Sequence, residues 1–299
     1  MINKSHKLII LLLAFLLLPY GISYAQNKRC NFEITIKDIS KLQKGGVFIS
    51  NTTKGTACFK NIDGRIIYYP IKNGRIEGDA YLYYYEDVVE SVTPYKNSKK
   101  QGTAKRYYPS GALFFETPYV NDKKEGIEKE YYETGQLNSA TTYKNDKAEG
   151  VRKDYYIDGS LKAVFHYKDD YKHGKVTKYF NTGKVSLTTN YNMGKRDGNE
   201  IEYHPNGKVE LLIPYSKGKI NGVMKVYYDN GNLMMSVDYK DDLRHGKVNR
   251  YNDDGSLYAV IDFDNDNIIK GKCMNGHVMT AEELQRYFYS IYQINCDNK

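Results

Sequence analysis

The sequence predicts an all-β protein: tandem 24-residue β-hairpin repeats forming an elongated, twisted antiparallel sheet, with a C-terminal capping helix. Three observations carry this. Glycine recurs every 24 residues, from Gly78 through Gly102, Gly126, Gly150, Gly174, Gly198 and Gly222 to Gly246. Tyrosine keeps the same step from Tyr83 to Tyr251, and a second row runs from Tyr95 to Tyr239 and closes at Phe263. Within each period, two β-prone runs flank a turn pair such as Asp158-Gly159. A fixed period of this length marks a repeat architecture whose units stack on their neighbours.

The chain opens with a segment of a different kind. Met1–Lys7 carries two lysines and no acid, Leu8–Leu18 is an unbroken apolar run, and Ser23 and Ala25 precede Gln26. A basic head, a short apolar core and a small-residue site describe a secretory signal. The run falls short of the ~20 apolar residues needed to cross a bilayer. Residues 1–25 are therefore expected to be removed, leaving a chain that starts at Gln26, is periplasmic or secreted, and has no integral membrane contact. Without Lys4 and Lys7 the formal charge falls from +8 to +6. That excess is spread along the chain and does not point to nucleic acid.

Residues 26–78 read as an N-terminal cap with a decayed repeat, carrying a strand over 31–37, a Gly45-Gly46 turn and unit-like positions at Phe59, Ile71 and Gly78. Eight units then fill residues 79–270 without insertion. In the unit from Val151 to Gly174, Val151–Ile157 leads through Asp158-Gly159 into Ser160–Lys168 and then a polar turn over 169–174. Glycine supplies the positive φ that a tight reversal requires. Leu161, Ala163, Phe165 and Tyr167 alternate with Lys162, Val164, His166 and Lys168, so one face of the second strand is apolar. Two strands per unit give about sixteen strands, ~4.8 Å apart, in a sheet that must twist or coil. An outer-membrane barrel would share the strand number. It would also need a continuous apolar outer band, and Lys153, Asp154, Lys178, Glu202, Lys225 and Arg250 interrupt one.

Stretches such as Tyr143-Lys-Asn-Asp-Lys-Ala-Glu-Gly150 and Tyr131-Tyr-Glu-Thr-Gly-Gln-Leu137 resemble the MORN repeat. They resemble most closely its bacterial variant, found in YwqK-like antitoxin-component proteins. The resemblance covers residues 79–270 and departs from the better-known pattern in having no tryptophan and fewer glycines. It implies a hairpin-repeat scaffold.

Residues 271–299 read as the C-terminal cap. Thr280 with Glu283 forms a capping box. Leu284, Tyr287, Phe288, Ile291 and Tyr292 follow the spacing of one apolar helical face, which can cover the last hairpin. The four cysteines form one pair before the repeats, Cys30 and Cys58, and one after, Cys273 and Cys296. In an oxidising compartment they read as two disulfides, since no C-x-x-C spacing suggests zinc.

No catalytic or cofactor site emerges. His173 and His245 occupy a slot that elsewhere holds Glu77, Gln101, Glu125, Glu149, Asp197 and Asn221, which makes it a turn position. His166, His204 and His277 have no partner at metal or triad spacing. Asp262, Asp264 and Asp266 begin like a calcium loop, but Asn267 and Cys273 stand at its glycine and closing-glutamate positions. The candidate site is a row beside the invariant tyrosines: Tyr84, Tyr108, Tyr132, Tyr156, Phe180, His204 and Tyr228, ending at Asn252. Adjacent strand residues face opposite ways, so one aromatic row should pack while the other forms an outer stripe. The alternative is that both rows pack. The expected function is that of a non-enzymatic exported scaffold binding a protein or cell-envelope glycan through Tyr84, Tyr108, Tyr132, Tyr156, Phe180 and Tyr228. An antitoxin or immunity role against a toxin is the second reading.

Overall fold

The computed structural model describes residues 32–33, 54–60, 65–85, 88–289 and 296. The signal segment, Cys30 and the Gly45-Gly46 turn lie outside them. Each unit contributes two strands to one continuous antiparallel meander. Gly126–Tyr131, for example, pairs forward with Leu137–Lys144 and backward with Leu113–Val120. The short strand Phe32–Glu33 is the exception and runs parallel to Ala57 and Cys58. At the other end Asn267–Cys273 pairs with Leu257–Asp264, and among the described residues it does not meet the first strands. The sheet is open rather than closed into a barrel.

Two kinds of reversal alternate along it. At the first, the Gly135 N–H donates to the Tyr132 carbonyl at 2.8 Å and the Tyr132 N–H to the Gln136 carbonyl at 2.8 Å. Gly135 has φ 91°, and the strand register shifts at Glu130/Tyr131. This is a three-residue loop closed by a left-handed glycine. The second reversal joins one unit to the next. Asn145 (φ 50°) and Asp146 (φ 71°) are both left-handed, as a two-residue type I′ hairpin demands. The single polar turn expected over 169–174 is thus divided: Asp169-Asp170 reverse the chain, Tyr171–Lys172 resume the strand, and Gly174 sits in a bulge. Asparagine and aspartate reach this conformation because their short polar side chains bond locally. The unit glycine is needed one step later. Gly102 in its bulge has φ 107°, and a Cβ there would stand 3.2 Å from Pro94 Cγ.

The type I′ reversals also bind the units together. The Asp146 N–H donates to the Lys124 carbonyl at 3.1 Å, and the Lys124 N–H donates back to Asp146 Oδ1 at 2.7 Å. The same reciprocal pair recurs at Lys100/Asp122, Ala148/Asp170, Ile220/Asp242 and Arg244/Asp266, and Ser98 serves Ile76 likewise. The polar slot before each unit glycine supplies a second acceptor. Glu77, Gln101, Glu125, Glu149 and Asp197 accept from the N–H groups of Asn97, Asn121, Asn145, Asp169 and Lys217.

One face of the sheet is buried. Ser139 and Thr141 point into it, while Ile127 and Lys129 on the other face are exposed. Apolar packing on the buried face concentrates at the two ends. Ala57, Tyr69, Ile71, Ile76, Ala80 and Tyr95 form one cluster, and Met235, Val237, Val248, Ala259, Ile261 and Phe263 anchor the other. Between them the buried layer mixes Thr117, Ser139, Thr141, Thr189 and Glu200 with the small apolar side chains of Ala148, Ala163 and Val176. The helix Ala281–Tyr289 closes the C-terminal end. Its capping box is formed: the Thr280 N–H donates to Glu283 Oε2 at 2.7 Å and the Glu283 N–H to Thr280 Oγ1 at 3.3 Å. Met279 is buried and Leu284 packs on the end cluster; Gly271 lets both approach, since a Cβ there would stand 2.8 Å from each side chain. Cys273 and Cys296 are disulfide-bonded with Cα atoms 5.8 Å apart.

Cations lie over rings along the array, from the middle units to Arg244 over Phe263 at 4.5 Å in the C-terminal cluster. Lys100 lies 4.9 Å from the Tyr119 ring centre, Lys124 4.5 Å from Tyr143, Lys172 5.4 Å from Tyr191 and Arg196 5.0 Å from Tyr215. Alanine occupies this slot at 148, and Arg152, four residues on, acts electrostatically on Tyr143 and Tyr167 instead. Burial pushes the phenols of Tyr69, Tyr95, Tyr119, Tyr143, Tyr167 and Tyr215 above the usual tyrosine range. A phenol raised in the fold holds its proton where the unfolded chain loses it, so stability falls as pH rises. The stabilisation is complete below about pH 10 and declines above it. Melting measured from pH 8 to 12 should show Tm dropping steeply above pH 10, together with phenolate absorbance. A Tm that stays flat through that range contradicts this packing.

Candidate binding surface

The candidate row lies at the edge of the sheet formed by the glycine loops. Tyr108, Tyr132, Tyr156, Phe180 and Tyr228 each stand one residue beyond a strand that ends at the invariant tyrosine; Tyr84 lies inside its strand. Because most of the row opens a loop, the rule that strand neighbours face opposite ways does not decide where these rings point. All six are half-buried.

Their hydroxyls are committed to the array. The Tyr84 hydroxyl donates to the Tyr107 carbonyl at 2.8 Å, Tyr108 to Tyr131 at 2.9 Å, Tyr132 to Tyr155 at 2.8 Å, Tyr156 to Tyr179 at 2.8 Å and Tyr228 to Tyr251 at 3.0 Å. Each bond ties a loop to the following unit. His204 keeps the link through Nε2, 3.3 Å from the Tyr227 carbonyl. Phe180 has no hydroxyl and breaks the ladder. An open depression of about 420 Å³ lies at that break, lined by Tyr156, Ile157, Asp158, Phe180 and Asn181. The ladder escaped the sequence reading, although a signal was present: every residue of the row except Phe180 carries a donor on its ring or amide.

The invariant tyrosines are also half-buried and include polar contacts. The Tyr131 hydroxyl donates to Glu116 Oε2 at 2.9 Å, and Glu116 also faces Lys105 and Lys129, each at 3.8 Å. Burial and then this bond push the Tyr131 phenol up to about 12. The remaining candidates resolve into local pairs. His277 Nε2 meets both Glu283 oxygens at 3.1 Å and extends the helix cap. His245 lies 3.0 Å from Asp264, Lys270 3.5 Å from Asp262, and the Arg244 Nε donates to Asp266 at 2.7 Å. The would-be calcium ligands therefore face separate basic side chains, and among the described residues no group of three His, Cys, Asp or Glu side chains could hold a metal.

With this geometry in place, comparison with known proteins is informative for the repeat. The family model described as "MORN repeat variant" matches residues 100–121, 124–145, 172–193, 196–217 and 220–241. Five segments of the chain are thus similar to the MORN repeat variant. Each matched segment runs from the last residue of a resumed strand through its bulge and hairpin to the first residue of the next type I′ reversal, so the matched period coincides with the structural one. No curated protein matches the chain. Among solved structures, the Photorhabdus luminescens Tc holotoxin pore is similar at 12% identity over 71% of this chain and 14% of that chain, with a TM-score of 0.18. A likeness that low carries no argument. Among the described residues, no helix is long and apolar enough to cross a membrane.

The hydroxyl ladder makes a direct prediction. Replacing Tyr108, Tyr132 and Tyr156 by phenylalanine keeps the rings and removes three inter-unit bonds, each worth about 1 kcal/mol. Denaturant unfolding should show the triple variant destabilised by an amount of that order per site. No loss of stability would mean that the hydroxyls contribute nothing to stacking.

Proposed function

We propose that the protein is an exported, non-catalytic repeat scaffold that holds an extended envelope ligand, a glycan or a protein segment, along its glycine-loop edge. The observation that carries this is the row of rings fixed by hydroxyl bonds at one-unit intervals, about 10 Å at two strand spacings. A ring held by its hydroxyl is already ordered, so a ligand stacking on it orders little more on binding. Aromatic side chains combine a broad apolar face with low conformational freedom, which makes them strong anchors. The break at Phe180, with its depression and the exposed Ile157 beside it, is the centre of the proposed surface. Export is supported by the basic and apolar leader of the sequence and by the Cys273–Cys296 disulfide. Nothing in the geometry favours the antitoxin reading over this one.

The test separates ring from hydroxyl. Titration with solubilised cell-wall fragments, and in parallel with unstructured peptides, should give saturable binding to one class. The phenylalanine triple variant at Tyr108, Tyr132 and Tyr156 should retain that affinity, and the serine triple variant should weaken it at least tenfold. Equal affinity in the serine variant, with its fold verified by circular dichroism, would remove the rings from the binding surface.

A further inference from the structure

The opposite edge of the sheet, where the type I′ reversals stack, contains an irregularity with its own chemistry. At six of eight consecutive reversals the second residue has an acceptor side chain: Ser98, Asp122, Asp146, Asp170, Asp242 and Asp266. Each accepts from a main-chain N–H of the unit before, at Ile76, Lys100, Lys124, Ala148, Ile220 and Arg244. The two exceptions are adjacent. Gly194 and Gly218 keep the main-chain half of the contact, donating to the Lys172 and Arg196 carbonyls at 2.8 Å each. Neither can return an acceptor, so the Lys172 and Arg196 N–H groups lack the partner that the other six of these reversals provide.

The first residues of these two reversals, Met193 and Lys217, carry no acceptor side chain either. Elsewhere Lys147 Nζ meets Asp169 Oδ1 at 2.8 Å, and Lys123 Nζ meets Asn145 Oδ1 at 3.2 Å. The equivalent partner position for Lys195 is occupied by a second cation, Lys217. A Cβ on Gly218 would lie 3.5 Å from Lys195 Cβ, so the two reversals are in contact. Lys195, Lys217 and Lys219 are all exposed. The acid within the patch is Asp197, whose Oδ1 accepts from the Lys217 N–H at 3.2 Å; Asp241, which receives the Asn221 amide at 3.4 Å, stands at its border. One slot further in, His173 Nδ1 is buried without a hydrogen-bond partner, where Glu77, Glu125 and Glu149 cap the following reversal. Two main-chain donors that lack the regular aspartate acceptor, beside three exposed cations, favour a bound negative charge, because a backbone N–H and an ammonium group both bond an oxyanion strongly.

We propose that the reversals Met193-Gly194 and Lys217-Gly218 form two neighbouring oxyanion positions in which phosphate or carboxylate groups take the places of the two missing aspartates. One anionic group accepts from the Lys172 N–H and the other from the Arg196 N–H, with Lys195, Lys217 and Lys219 as the paired cations. With one such position per unit, about 10 Å apart, a ligand bearing two linked anionic groups would occupy both. This site is separated by the length of a strand from the aromatic row and does not depend on it.

The full chain titrated at low salt with inorganic phosphate, and separately with tripolyphosphate, provides the test. Amide resonances of Lys172 and Arg196 should shift saturably while those of Lys100 and Lys124 do not. Tighter binding of tripolyphosphate would assign the site to polymer-borne anions, and equal binding to a single free one. Gly194→Asp with Gly218→Asp should abolish the shifts and raise Tm, since aspartate is accommodated at φ 73° and 75° in Asp122 and Asp242. Should that variant fail to fold, Lys195→Gln with Lys217→Gln and Lys219→Gln should weaken phosphate binding at least tenfold. Shifts that are linear in phosphate, equal at Lys100 and Lys124, or unchanged in either variant overturn the proposal. The serine triple variant of the aromatic row should leave phosphate binding intact, so the two surfaces fail or stand separately.

Discussion

The array depends on the reciprocal hydrogen-bond pair between successive type I′ reversals. A 24-residue hairpin cannot bury its own inner face, so each unit must be held in register against the next. The reversal does this with a left-handed Asn-Asp or Asp-Asp pair whose second residue donates through its N–H and accepts through its carboxylate, as Asp146 does with Lys124. A slip of one residue would turn every inner side chain outward. Because this contact and the opposing hydroxyl ladder sit at the two edges of the sheet, each strand is fixed at both ends.

Fixing register at the edges frees the middle of the sheet from supplying a continuous apolar core. The buried face is aliphatic where it needs to terminate the array, at the 57–95 and 226–296 clusters. Across the central units it carries threonine, serine, glutamate and cations lying over tyrosine rings. Edges that are geometrically fixed and chemically variable are also where ligand chemistry can be written without disturbing stacking. Both proposed surfaces lie at such edges, and both sit where a regular bond is missing, at Phe180 and at Gly194 and Gly218.

Much of this fold was legible in the sequence because period, turn glycines and alternation all report on the backbone. The hairpin through Asp158-Gly159, the alternation of Leu161 with Lys162 and the Thr280–Glu283 cap all follow from local rules that tertiary packing does not overrule. The reading failed where one residue type serves two roles. The unit glycine looked like part of a turn, yet it relaxes a bulge two residues after the strand has resumed. The polar turn over 169–174 was read as one piece, whereas Asp169-Asp170 alone reverse the chain. Tyr108, Tyr132 and Tyr156 looked like an outer stripe because adjacency was judged as if on a strand, whereas they open loops and spend their hydroxyls on the next unit. Partner donors and acceptors 20 to 23 residues away in sequence cannot be seen from a single unit, which is why the polar slot at Glu125 and Glu149 appeared interchangeable when its common property is an acceptor.

Native-state hydrogen exchange tests the central claim most directly, because it reads the reciprocal pairs one amide at a time. The Lys100, Lys124, Ala148, Ile220 and Arg244 amides, each donating to an aspartate, should be protected and should open only with their neighbouring unit. The Lys172 and Arg196 amides, facing Gly194 and Gly218, should exchange markedly faster in the absence of an added anion. Uniform exchange across all seven positions would contradict the account, since the aspartate contacts would then not be what holds one unit to the next.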